Sequence, residues 1–197
     1  MMTWVLLRAA GIGSYVALWL AVAWGLVATT GVVKRRISKP AANAFHAFVA
    51  STGLALLAVH LVLLVVDSYM PFAPLDVLVP MRSTFRPLAL TAGVVSMYSI
   101  VLVMVSSWTR SKMSTRLWRT IHLLAVPAFV LALLHGVFAG TDTQRPWMIA
   151  LYGTTGVVTF FLVIVRGLTA DYRPPRPTPP ARAPRPDNVR REPEPAA

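Results

Sequence analysis

The sequence contains no cysteine, and that absence excludes several chemistries at once. Without thiols the chain holds no disulfide, no iron–sulfur cluster and no haem attached covalently through Cys-x-x-Cys-His. Acidic residues are nearly as scarce: of seven, only Asp67, Asp76 and Asp142 precede the C-terminal tail. None lies inside a long apolar run, so no buried carboxylate relay and no carboxylate-completed zinc or copper site is on offer there. A Gly-x-Gly-x-x-Gly following a strand and a P-loop are also missing, and the apolar runs leave no room for a nucleotide domain. A flavin or nicotinamide held within this sequence is therefore not expected.

What the sequence has is apolar length. Of 197 residues 56% are hydrophobic and 13% charged, with a mean hydropathy of +0.62. A helix needs about 20 apolar residues to cross a hydrocarbon core about 30 Å thick. Five blocks free of Asp, Glu, Lys and Arg meet that requirement: 9–33, 41–66, 87–108, 120–140 and 146–165. The expected fold is all-α, a polytopic membrane bundle of five transmembrane helices over residues 1–168. Residues 169–197 carry nine prolines and six arginines, cannot bury a core, and are expected to form a disordered cytoplasmic tail.

The net charge of +12 invites a nucleic-acid reading that its distribution rejects. Fifteen of nineteen basic residues fall on one side of the five blocks, while Asp67, Asp76 and Asp142 fall on the other. The positive-inside rule then places the N-terminus outside and the C-terminus in the cytoplasm of a plasma or inner membrane. Attraction to anionic lipid would reinforce that placement. The first block is too long and its start too weakly basic for a cleaved signal, so it reads as an uncleaved span.

Local features follow in order. Asn43 is a candidate N-cap for a second span beginning after Pro40. Between Asp67 and Arg86, Pro71, Pro74 and Pro80 argue against regular helix, and the greasy remainder reads as interfacial, a candidate lid at the outer face. Ser96 and Tyr98 are the polar contacts of the third span. Trp108 and Trp118 flank a cytoplasmic loop, as interface tryptophans do. The fifth span carries no candidate chemistry and should pack outside the other four.

The chain has four histidines, and all four sit inside apolar blocks. An ionisable side chain at that depth is a functional hypothesis by default. His46 and His60 are separated by thirteen residues, His122 and His135 by twelve. On an ideal helix the first pair is about 21 Å apart and roughly 40° apart in azimuth, hence on one face. The second pair would be about 140° apart, so it shares a face only if the helix departs from ideality near Pro127. Topology puts His46 and His122 at the cytoplasmic level and His60 and His135 at the outer level. One histidine from each helix at each level is the arrangement needed to sandwich a haem iron. Gly53 and Phe129 lie near midway on their helices, and Phe129 packed over Gly53 would place an aromatic ring between the two levels.

These residues resemble the ferric reductase-like transmembrane family, which includes the membrane parts of ferric reductases and NADPH oxidases and the haem-binding subunit of the periplasmic methionine sulfoxide reductase system. The similarity rests on the two histidine spacings and on Arg86-Pro87-Leu88-Ala89, Leu117-Trp118-Arg119-x-x-His122-Leu123 and His135-Gly136-x-x-Ala139-Gly140-Thr141-Asp142. It covers about residues 8–168. The resemblance implies two b-type haems, one on His46 and His122 and one on His60 and His135, and electron flow from inside to outside. Many members have one more span before the first seen here, and full reductases continue into a flavin and NADPH domain, so the redox partner is expected to be separate. A cytoplasmic flavoprotein or a quinol would be the donor; Fe³⁺, oxygen or an extracytoplasmic redox protein would be the acceptor. Arg35, Arg36, Arg116 and Arg119 are candidates to pair inner haem propionates, Arg82 and Arg86 the outer ones. Alternatives are a haem-free small permease or scaffold, and a haem-bearing structural subunit of a larger redox complex.

Overall fold

The structure, a computed structural model, describes residues 2–29, 37–68 and 72–170. It contains α1 (Met2–Thr29), α2 (Lys39–Val66), α3 (Pro74–Leu78), α4 (Pro87–Trp108), α5 (Thr115–Leu123), α6 (Ala125–Ala139) and α7 (Pro146–Ala170), with a 3₁₀ turn over Arg110–Lys112. With α5 and α6 taken as one interrupted span, five segments are long and apolar enough to cross a membrane. Among the described residues there is no strand. The expected all-α membrane bundle is the fold. Lys34, Arg35, Arg36, Pro71 and the tail from residue 171 onward, including its expected disorder, lie outside the described residues.

The packing is that of helices in lipid. Phe48, Leu88, Val157, Phe160 and Leu168 are exposed, whereas Ser14, Ser96, Ser106, Thr155 and Thr159 are buried. Lipid tails are as apolar as leucine, so burying leucine between helices gains little; close approach and interhelical hydrogen bonds do more. Ser14 Oγ donates to the Gly53 carbonyl (2.9 Å), Trp24 Nε1 to the Ala42 carbonyl (3.0 Å) and Ser96 Oγ to the Ala128 carbonyl (2.8 Å). Each such bond contributes about 0.6 kcal/mol on average in a membrane.

The helices form two close pairs, α1 with α2 and α4 with α6, while α7 lies against α1 and α6. No comparable backbone packing joins α2 to α5 or α6 among the described residues. That seam between the pairs is where the histidines meet. α7 is less peripheral than its uniform apolarity predicts: Tyr15 on α1 hydrogen-bonds Thr155, and Trp19 Nε1 donates to Thr159 Oγ1 at 3.2 Å.

Helix ends differ from expectation in two places. α2 is capped by Ser38, whose Oγ accepts from Ala41 N at 3.4 Å, so Asn43 is not the cap. Pro40 is accommodated because proline in the first turn has no intrahelical bond to lose. The same tolerance lets Pro74 open the one-turn α3 inside a loop whose prolines argue against helix. The fourth span breaks at Leu124, between α5 and α6. Pro127 supplies no N–H to the Leu123 carbonyl and its ring crowds that group, so the helix is interrupted three residues earlier.

Candidate functional site

The four histidines lie in the seam as two groups. Toward one end, the rings of His46 on α2 and His122 on α5 have centroids 6.0 Å apart and planes inclined by 59°. Toward the other, His60 on α2 and His135 on α6 line one cavity of about 240 Å³. The break at Leu124 lets the two histidines of the fourth span reach two sites on α2. Both sequence-derived pairs are thus brought together, each within its own level.

With inner naming the His46–His122 end and outer the His60–His135 end, after the expected topology, hydrogen bonding fixes how the outer rings are held. Nδ1 of His60 lies 3.0 Å from the Leu7 carbonyl and Nδ1 of His135 lies 2.9 Å from the Ala89 carbonyl. A carbonyl oxygen only accepts, so each Nδ1 carries the proton and each Nε2 keeps its lone pair. The rings sit against glycines: a Cβ on Gly11 would stand 2.8 Å from His60 Nδ1, and one on Gly93 2.7 Å from His135 Nδ1. Both contacts are too short for any real side chain. At the inner level, a Cβ on Gly25 would lie 3.5 Å from His46 Cε1, an ordinary contact. His122 stacks on Trp118 (5.0 Å, 28°), and Arg110 lies over the Trp118 ring with its Cζ 4.2 Å from the centroid.

This donor set fits haem. An imidazole nitrogen bonds a metal at about 2 Å, so two imidazoles trans across one ion put their ring centres roughly 6 Å apart. The inner pair already has that separation. Among the described residues no three His, Cys, Asp or Glu side chains converge, and a bare ion asks for more protein ligands than two. A macrocycle that brings its own nitrogens needs only the two axial ones.

Other assignments shift. Gly53 does not receive Phe129: the groove over Gly53 is filled by Leu18 of α1, while Phe129 stacks on Tyr15 (5.6 Å, 29°). The reason is that α1 packs directly against α2 and occupies its glycine face. Phe129 still lies between the two histidines of its span, and Tyr15 and Tyr152 line the outer cavity.

Arg82 and Arg86 are exposed and stand outside the lining of that cavity. Arg82 Nε faces Asp76 at 3.7 Å, and Arg86 Nη1 donates to the Phe138 carbonyl. Arg116 and Arg119 are exposed on α5, Arg119 one turn before His122. The arginine that lines the outer cavity is Arg8, ion-paired with Asp142 and with its Nε buried without a hydrogen-bond partner. Sequence reading passed over it, although an arginine inside a 28-residue apolar helix is itself a signal. Phe72, Asp76, Val77 and Phe85, from the α2–α4 connection, line the same cavity.

Neither the curated proteins nor the solved structures compared with the chain yield a match. A family model, described as ferric reductase like transmembrane component, matches residues 10–133. That match takes in His46, His60 and His122 and stops two residues short of His135. Because that match spans well over half of the sequence, taking in the second and third of the five spans and most of the first and fourth, this multi-pass membrane protein belongs to the ferric reductase-like transmembrane component family.

Proposed function

We propose that the protein carries electrons across the membrane on two b-type haems, one held by His46 and His122 and the other by His60 and His135. The observation that carries this reading is the grouping of all four histidines into two levels of one seam, with inner ring centres 6.0 Å apart. Family membership supports the general function, since ferric reductase-like components are generally haem-binding redox proteins. A haem held at each histidine pair would supply one-electron redox chemistry.

The chain's own residues define what such a site can do. His60 and His135 present Nε2 because Leu7 and Ala89 hold their Nδ1 protons. Each level would offer such a group two imidazoles, His46 with His122 and His60 with His135. Tyr15 and Phe129 stack on one another, Phe129 being midway between His122 and His135 on its span. Arg8, paired with Asp142, is the cation that a carboxylate in the outer cavity would meet, since Arg82 and Arg86 are engaged outside it; Arg116 and Arg119 are the exposed cations of α5 beside the inner level.

Orientation follows the charge. The basic residues Arg110, Lys112, Arg116 and Arg119 face the cytoplasm, the N-terminus lies outside, and electrons enter from a separate cytoplasmic flavoprotein or a quinol. The acceptor is extracytoplasmic: Fe³⁺, oxygen or a redox protein.

The test is a pyridine haemochrome assay on purified protein with the chain concentration measured independently. Two haems per chain are expected. A preparation that is folded, as judged by helical circular dichroism, yet has no Soret absorption after haem-supplemented expression would favour a haem-free permease or scaffold.

A further inference from the structure

The histidines are backed by one repeated device, and one copy of it is altered. On α1, Leu7 and Gly11 face His60, and Ala21 and Gly25 lie beside His46, whose buried Nδ1 makes no hydrogen bond. On α4, Ala89 and Gly93 face His135. In each case the carbonyl stands four residues before the glycine and so already accepts that glycine's helical N–H. A carbonyl has a second lone pair. Without a Cβ at the glycine, an imidazole can reach it.

Gly25 stands fourteen positions after Gly11, and the same step carries Gly93 to position 107, where the chain has serine. Ser107 changes the device. Its Oγ donates to the Val103 carbonyl at 2.8 Å, and Ser106 Oγ donates to the same oxygen at 2.9 Å. Val103 is the residue four before position 107, so its carbonyl is the one His122 would otherwise use. With its single proton directed to Val103, Ser107 Oγ has lone pairs left for Nδ1 of His122 and Nε1 of Trp118, each 3.5 Å away.

We propose that Ser107 is a positioning residue for His122 that holds the inner haem at a higher reduction potential than a carbonyl-backed histidine would give. The proposal rests on the di-haem reading above. An acceptor on Nδ1–H makes an imidazole a stronger donor at Nε2 and favours ferric over ferrous iron. A hydroxyl at 3.5 Å does this less than a carbonyl at 2.9 Å. The couple is one-electron, Fe³⁺ to Fe²⁺ with no proton taken up, the electron coming from dithionite in the titration below.

The experiment is a potentiometric titration of full-length protein in lipid nanodiscs, with haems counted first. The inner component is identified as the one that His122→Ala removes. Ser107→Ala, which takes away the one acceptor that faces His122 Nδ1 among the described residues, should raise the inner potential. Ser106→Ala/Ser107→Gly, which uncovers the Val103 carbonyl, should lower it by about a tenfold change in the reduction equilibrium, or about 59 mV. Ser107→Thr should restore the wild-type value, and the outer potential should stay fixed throughout. Shifts of one sign in both variants, or none with two haems retained, would overturn the role of Ser107. Should the double variant lose its inner haem, the sign of the Ser107→Ala shift against the threonine variant decides. Fewer than two haems in the wild-type protein would instead defeat the di-haem reading itself.

Discussion

Gly93 and His135 are fitted to one another: a methyl group on Gly93 would stand 2.7 Å from Nδ1 of the imidazole, which is itself 2.9 Å from the Ala89 carbonyl. Gly11 and His60 repeat the relationship on the other helix pair, at 2.8 Å and 3.0 Å. The outer site is therefore built by backbone on α1 and α4 as much as by the histidines themselves. Small residues in membrane helices commonly serve helix approach; these two serve the approach of a ring.

Gly93→Ala and Gly11→Ala should each displace a histidine and cost the protein one haem of two, the outer one. Gly25→Ala meets His46 only at ordinary contact distance and should keep both. Haem-to-protein ratios of the three variants check this. Equal retention by all three would show that the ring–glycine contact does not govern binding.

Pro127 sets the phase of the fourth span. Pro127→Ala restores the N–H that the Leu123 carbonyl lacks and removes the cause of the break at Leu124. A continuous helix leaves His122 and His135 about 140° apart, so haem occupancy should fall toward one per chain while helix content stays the same or rises. Absorbance and circular dichroism of one preparation report both.

Tyr15 and Phe129 stack at 5.6 Å, and Phe129 stands midway between His122 and His135 on its span. Phe129→Leu should leave the haem count unchanged and slow electron transfer between the two haems, measured by following the re-equilibration of a half-reduced protein after photolysis of a reductant. An unchanged rate would reduce this pair to packing.

Arg8 and Asp142 tie the start of α1 to the α6–α7 connection. Both are partly shielded, so their coupling should exceed that of an exposed pair and fall short of a buried one, about 1 to 3 kcal/mol. A double-mutant cycle with Arg8→Ala and Asp142→Ala on thermal unfolding in detergent measures it. Additive effects would mean that the pair contributes nothing of its own.

The five spans were legible because each is an unbroken apolar block, and the block 87–108 coincides with α4. Ends were less so: Pro40 is tolerated inside a first turn, and Thr115–Arg119 extends the fourth span with a turn whose two arginines take it out of the apolar block. The need for a bend near Pro127 followed from counting 100° per residue between His122 and His135. What could not be counted was which neighbour each face meets. Periodicity put Gly53 on the histidine stripe, yet the fold gave Gly53 to Leu18 and Phe129 to Tyr15, because helix order and rotation decide partners. Arg8 and Ser107 were missed for the same reason: their meaning lies in the helix opposite.

The pairing of the histidines is the central claim, and single-ligand variants test it most directly. Spectra and redox titrations of His46→Ala, His122→Ala, His60→Ala and His135→Ala should fall into two classes. The first two should lack the same haem component, the last two the other, each variant retaining one haem per chain. Loss of one component in both His46→Ala and His60→Ala, with the other lost in both His122→Ala and His135→Ala, would contradict the account, since each haem would then be held within a single span.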